Sequence, residues 1–356
     1  MNSILRPDEQ AGLDLRSLYH RHGYQPYRMS KFEAYDLYVR NKSFLVSEDI
    51  LTFTDADGRL MALKPDVTLS IVKNAKEGRG LQKVYYSENV YRTSPMTRGF
   101  REIMQTGLEC VGEIDLVAMG EVLLLAVKSL EIISGGYLLD ISHLGFVAGL
   151  LDSAGVPESC RAELLKRMGE KNVTALGELC REQGLDPEMA QDLCQMTSLY
   201  GPPHEVFPAL EEMVRGGRMA AALEELREIC ALVPEEHLRV DFSIVNDMNY
   251  YNGFIFRGYV PGLPSGVLSG GRYDNLLRQM GRVGGAIGFA VYMNLLERLE
   301  GTGETYDADV LLLYDDKTPA PAVLREAERC RGAGQSVRVE RQAPEGLSFR
   351  TVRKVG

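Results

Sequence analysis

The feature that most constrains this chain is a change of hydrophobic period along its length. Up to residue 142 it is dominated by short runs of strand character between turn residues. Leu51 to Thr68 reads as a β-hairpin turning at Asp57-Gly58, and 83–92 and 103–112 read as a second strand pair. A further short strand follows at 137–142. Two helices punctuate this region, an amphipathic one over 8–22 that stops at Gly23 and a long one over 114–134. From 143 to about 232 the pattern is helical throughout. It breaks at Gly155-Val156-Pro157, Gly184-Leu185-Asp186-Pro187 and Gly201-Pro202-Pro203. Strands return at 237–245, 250–259 and 266–269, and a last apolar helix is expected over 285–299 after a glycine-rich turn. Strands, then a helical block, then strands predict an α+β chain whose mostly antiparallel sheet carries an inserted helical lobe at about 154–232.

The tail changes register again. ADVLLLYDD, a helix from about 319 to 332 and QSVRVERQ make a β-α-β segment that is too short for a full α/β domain. Two domains are therefore expected, 1–306 and 307–356. At 356 residues the chain is long enough for both.

Composition excludes several function classes. No run of about 18 apolar residues exists, which argues against a spanning helix. MNSILRPDEQ has no basic-then-apolar signal pattern, so a cytoplasmic location is expected. The six cysteines, at 110, 160, 180, 194, 230 and 330, form no C-x-x-C pair. With only five histidines beside them, no metal site is expected, and the thiols read as reduced, buried small side chains. Net charge is −10, against the basic face of a dedicated nucleic-acid binder. There is no P-loop, no Ser-His-Asp signature and no dinucleotide fingerprint, and no cofactor is expected.

Four segments carry candidate chemistry. In Gln105-Thr106-Gly107-Leu108-Glu109-Cys110, strand alternation puts Gln105, Gly107 and Glu109 on one face and Thr106, Leu108 and Cys110 on the other. Gly107 leaves room for a ligand near the backbone, or simply marks a bulge. Asp66 and Thr68 would point the same way in an extended chain and suit an ammonium group; equally, Asp66 caps the helix that follows. Tyr250 and Tyr251 fall on opposite faces of a strand, one packing and one offering a hydroxyl, or both simply packing. Ser269-Gly270-Gly271-Arg272-Tyr273-Asp274 reads as a tight turn presenting Tyr273.

Taken in order, these segments resemble the class II aminoacyl-tRNA synthetase core, most closely its histidyl branch. The arginine-bearing second motif is similar to Tyr91-Arg92 through Gln105-x-Gly107-x-Glu109-x-x-Gly112. The histidyl-specific segment is similar to 244–253, and Gly270–Asp274 and Gly288-Phe289-Ala290 also match. The resemblance covers residues 1 to about 300. It implies a six- or seven-stranded antiparallel sheet with flanking helices and a helical insertion. It also implies a histidine pocket: Arg92 for the carboxylate, Asp66, Thr68 and Gln105 for the ammonium, and Glu109 with a hydroxyl from Tyr250, Tyr251 or Tyr273 for the imidazole.

The departures point away from catalysis. Where the synthetase pattern has a glutamate after its second-motif arginine, Thr93-Ser94 stand here. Where it has an arginine in the histidyl-specific segment, Asn246 stands, with Asn249 for an aspartate. Where it has an arginine in its last motif, Leu295 stands. Activating an amino acid requires cationic stabilisation of ATP phosphates, and leucine supplies none. The short tail resembles half of an anticodon-binding domain, so tRNA should bind poorly. This combination is similar to the family of ATP phosphoribosyltransferase regulatory subunits. The resemblance implies a non-catalytic sensor of L-histidine, joined to a short catalytic subunit in a hetero-oligomer, an octamer, with a self-dimer through the synthetase-like core. A divergent histidyl-tRNA synthetase and a free-standing histidine sensor are the alternatives.

Overall fold

The computed structural model describes residues 5–45, 50–75, 80–93, 99–245, 250–299 and 306–355. It divides into two compact units, one over Pro7–Leu299 and one holding the C-terminal residues.

The larger unit opens with helix α1 (Pro7–Arg21). Proline suits its first position, where no N–H is needed, and Asp8 and Glu9 in its first turn and His20 and Arg21 in its last match the helix dipole. Its buried stripe, Ala11, Leu15, Leu18 and Tyr19, recurs at helical spacing and packs against α4 (Leu116–Ile133). Between them lie β1 (Gln25–Pro26), β2 (Phe32–Ala34), α2 (Tyr35–Arg40), β3 (Thr52–Thr54), β4 (Leu60–Leu63), α3 (Thr68–Asn74), β5 (Gln82–Thr93) and β6 (Phe100–Gly112). β2, β4 and β3 form a small antiparallel sheet. The turn between β3 and β4 lies where expected but is not a two-residue turn. Among described non-glycine residues only Lys171 has positive φ, so at this turn Gly58 alone adopts it, at 78°. The Asp55 carboxylate, accepting from the Asp57 and Arg59 amides, shapes the rest.

After α4 come β7 (Leu138–His143) and the helical lobe: α5 (Leu144–Ser153), α6 (Glu158–Gly169), α7 (Val173–Glu182), α8 (Pro187–Ser198), α9 (Pro203–Glu212) and α10 (Gly217–Cys230). The three anticipated breaks all separate helices. A two-residue strand, β8 (Tyr200–Gly201), interrupts the lobe and joins the main sheet beside β9 (Leu238–Asp241). β10 (Phe254–Tyr259), β11 (Leu268–Arg272), α11 (Asp274–Gln279), β12 (Gly285–Tyr292) and the short α12 (Met293–Leu296) complete the unit.

The main sheet has nine strands in the order β1-β5-β6-β12-β11-β10-β7-β9-β8, two or three more than the resemblance implied. Its centre is antiparallel, while β1–β5 and β7–β9 pair in parallel. Two sequence expectations fail. Residues 285–292 are a strand and not the start of a helix: this apolar run is buried on both faces, and such a run reads alike in either state. Gly270 and Gly271 are strand residues and not a turn, because a Cβ at either would strike the neighbouring strands.

The smaller unit is a parallel sheet in the order β14-β13-β15, from β13 (Ala308–Leu313), β14 (Val337–Glu340) and β15 (Phe349–Lys354). Helix α13 (Ala320–Gly332) connects the first two. Val310 and Leu312 bury against Ala327. The third strand extends the β-α-β segment read from sequence. No described helix is long and apolar enough to cross a membrane.

Candidate functional site

Pairing across the main sheet builds the site. Gln105, Gly107 and Glu109 of β6 stand opposite Tyr292, Ala290 and Gly288 of β12, and directly paired residues share a face. Leu108 and Cys110, on the other face, enter the main core, as the alternation predicted. Over the first face lies a cavity of about 290 Å³. Asp66, Thr68, Arg92, Gln105, Glu109, Tyr250, Tyr251 and Tyr273 all line it. Six of these come from four separate stretches of chain on β5, β6, α3 and the approach to α11.

Glu109 is the hub, only 2% exposed. The Thr68 hydroxyl donates to its Oε1 at 2.6 Å, and the Tyr273 hydroxyl donates to its Oε2. Both bonds favour the ionised form, yet burial outweighs them and pushes the carboxyl up to about 8. Asp66 is shifted upward by the same desolvation, opposed by Arg92, whose guanidinium nitrogen lies 3.8 Å from its carboxylate. Arg92 is held from behind, its Nε donating to the Pro65 carbonyl at 2.8 Å. Asp66 Oδ1 accepts the Leu69 amide at 2.9 Å in the first turn of α3, and the same side chain lines the cavity.

An aromatic wall closes one side. Tyr250 and Tyr251 have ring centroids 4.6 Å apart, and Tyr250 and Tyr273 5.6 Å. The two adjacent tyrosines are not strand residues, so the expected opposite faces do not arise; both reach the cavity just ahead of β10. Burial raises the Tyr86, Tyr250 and Tyr273 hydroxyls well above their ordinary range, so they act as neutral donors and acceptors.

Two glycines set the floor. A Cβ on Gly107 would lie 2.2 Å from the Phe289 carbonyl and 2.8 Å from the Tyr86 hydroxyl. The space beside Gly107 therefore belongs to Tyr86 and not to a ligand, which corrects the sequence reading. A Cβ on Gly288 would fall 1.8 Å from Glu109 Oε2. Sequence reasoning missed Tyr86, Arg257, Ser265, Gly266 and Tyr292, and gave Ser269 and Ala290, which stand in its segments, no place in the cavity. The Tyr86–Gly107 pairing was findable from the β5–β6 register, but the β12 residues were hidden by the helix reading.

Of the departures, Thr93 ends β5 opposite Phe100, and Leu295 packs half-buried on the main core; neither lines the cavity. Ser94, Asn246 and Asn249 lie outside the described residues. Among the described residues no group of three His, Cys, Asp or Glu side chains is placed to hold a metal ion.

A family model described as histidyl-tRNA synthetase matches residues 6–296. The ATP phosphoribosyltransferase regulatory subunit of Clostridium kluyveri is 30% identical over 337 residues, covering 90% of this chain and 85% of that one. A solved structure from Bacillus halodurans, described as an ATP phosphoribosyltransferase regulatory subunit/histidyl-tRNA synthetase, superposes with a TM-score of 0.77. It is 24% identical, covering 100% of this chain and 96% of the other. A chain of the ATP phosphoribosyl transferase (HisG:HisZ) complex from Thermotoga maritima superposes with a TM-score of 0.64 at 19% identity, covering 82% and 98%. These two likenesses concern the fold, while the family match rests on sequence. This chain belongs to the histidyl-tRNA synthetase family, among its ATP phosphoribosyltransferase regulatory subunits.

Proposed function

We propose that this chain is a non-catalytic regulatory subunit that binds L-histidine in the cavity and conveys its presence to a short catalytic ATP phosphoribosyltransferase chain, at the first step of histidine biosynthesis. The observation that carries the reading is the convergence of Asp66, Thr68, Arg92, Gln105, Glu109, Tyr250, Tyr251 and Tyr273 on one buried cavity. A free amino acid brings a carboxylate for Arg92 and an ammonium for Asp66, Thr68 and Gln105. Its ring nitrogens meet Glu109 and a tyrosine hydroxyl. An apolar isostere would leave these groups unpaired, which is how such a site selects imidazole.

Support for a regulatory role comes from the relatives' names and from Leu295, an apolar side chain where the resemblance calls for an arginine. The Thermotoga maritima neighbour is described as part of a two-protein complex, and we assign this chain an equivalent hetero-oligomer. The octamer, the self-dimer through the larger unit, the reading of 307–356 as a cut-down anticodon-binding-like domain and the cytoplasmic location belong to the same proposal.

Two measurements test it. Calorimetric titration should show histidine binding that Glu109→Ala weakens by about 1–3 kcal/mol in a folded variant, the cost of leaving a ligand N–H unpaired. Histidine-dependent pyrophosphate exchange should stay at the level of a pocket-mutant blank. Exchange above that blank would make the chain a divergent synthetase. Histidine binding without capture of a catalytic chain from native extract would make it a free-standing sensor.

A further inference from the structure

Among the described residues, none from the helical lobe lines the cavity. One lobe helix nevertheless reaches the aromatic wall from behind. Glu225 lies on α10, and its Oε1 is 3.8 Å from Nη1 of Arg272, the last residue of β11 and the one before Tyr273.

Arg272 is built into the wall at several points. Its stem lies against Gly253, where a Cβ would come within 3.1 Å of Cδ. Its carbonyl accepts the Asn252 amide at 2.9 Å, directly after Tyr251. Its Nε donates to Asp274 Oδ2 at 2.8 Å, and Oδ1 of that carboxylate accepts the Ala286 amide at 3.0 Å. Between them the Tyr273 amide donates to the Ala286 carbonyl at 2.8 Å. The planar fork of a guanidinium can serve two carboxylates at once, so Arg272 joins Asp274 beside the pocket to Glu225 in the lobe.

His143 closes the chain from the sheet side. It pairs opposite Phe254, and the next amide, that of Leu144, donates to the Gly253 carbonyl at 2.9 Å. Its Nδ1 accepts the Gly145 amide at 3.1 Å, which leaves Nε2 facing Glu225 Oε1 at 3.6 Å. The imidazole first, and then Arg272, hold the Glu225 carboxyl below its ordinary value against the burial that raises it. Among the described residues neither His143 Nε2 nor Glu225 Oε1 makes a hydrogen bond, so charge and not hydrogen bonding sets these contacts.

We propose that Glu225 and Arg272 are positioning residues for the histidine pocket. Through this ion pair α10 fixes the segments that carry Tyr251 and Tyr273, and the lobe thereby sets how firmly a ligand's ring is held. For the ligand's identity this rests on the histidine reading; the positioning itself does not.

Hydrogen exchange read by mass spectrometry, on the full chain without ligand, tests the positioning. Glu225→Gln should speed exchange about tenfold in the segments holding the Asn252 and Tyr273 amides and leave β5 and β6 as they are. Arg272→Lys, which keeps the charge without the fork, should do the same and serves if Glu225→Gln does not fold. Glu225→Asp should restore part of the protection. Glu224→Gln, at the exposed neighbouring position on α10, should change nothing. In calorimetry Glu225→Gln should weaken histidine about three- to tenfold, and adding Arg272→Lys to it should cost little more, because both act through one contact. Wild-type exchange in Glu225→Gln or Arg272→Lys, equal speeding throughout the larger unit, no restoration by Glu225→Asp, an equal effect of Glu224→Gln, or additive losses of affinity would each overturn the positioning. A wild type that binds no histidine would end the histidine reading, and the exchange results would then decide the positioning by themselves.

Discussion

At the scale of single residues, Glu109 sets the pH behaviour. Its carboxyl titrates at about 8 in the folded chain against an ordinary 4.5, so the folded state holds a proton that the unfolded state has already lost across that interval. This group therefore costs least stability below pH 4.5, and the cost grows as pH rises to about 8. Glu109→Gln, uncharged throughout, should lose less melting temperature than the wild type between pH 5 and pH 8; identical slopes would contradict the assignment. Ligand affinity should follow the same proton. A neutral carboxyl with a neutral imidazole, or a carboxylate with an imidazolium, needs one proton between them. Histidine should bind best between about 6.5, the ordinary imidazole value, and about 8, weakening on either side. A flat profile from pH 5.5 to 9 would remove Glu109 from the imidazole.

At the scale of elements, strand β12 carries the greatest constraint. Gly288→Ala would drive a methyl group into both Glu109 and the Leu108 carbonyl, which lies 2.4 Å from the added carbon. It should cost on the order of 2–3 kcal/mol and abolish histidine binding; denaturant unfolding beside a histidine titration measures both. The alternation in β6 was legible in sequence because one face meets the core and the other a cavity. β12 was not, since Ala286, Ile287, Phe289 and Val291 are buried on both faces and erase the period that marks a strand. The ordered motifs singled out Tyr250 and Tyr251, which line the cavity, but not their geometry, because it depends on where β10 begins. Arg257 carried no local signal: it reaches the cavity only through pairings with distant strands.

At the scale of the whole molecule, the block pattern of strands, helices and strands sufficed for the fold class, and three of the lobe's helical breaks fell at the expected glycines and prolines, while those between α6 and α7 and between α9 and α10 were not read from the sequence. The sheet's width was not legible, because β1 and β8 are two residues long and exist only through their neighbours. Size-exclusion chromatography with light scattering should show a larger assembly when a short ATP phosphoribosyltransferase chain is added, and histidine should alter that assembly's activity. Two chains eluting separately at micromolar concentration would count against the partnership. By linkage, any substrate of the partner that shifts histidine affinity must be shifted by histidine in equal measure.

The close approach of Glu109 to Gly288 ties two positions into one unit of inheritance. A descendant that gains a side chain at 288 has room for it only by shortening the acid at 109, and a shortened acid no longer spans the gap between Thr68 and Tyr273. Loss of ligand recognition in this lineage should thus leave a paired signature, and homologous sequences with a side chain at 288 beside an intact glutamate at 109 would argue that the two evolve independently.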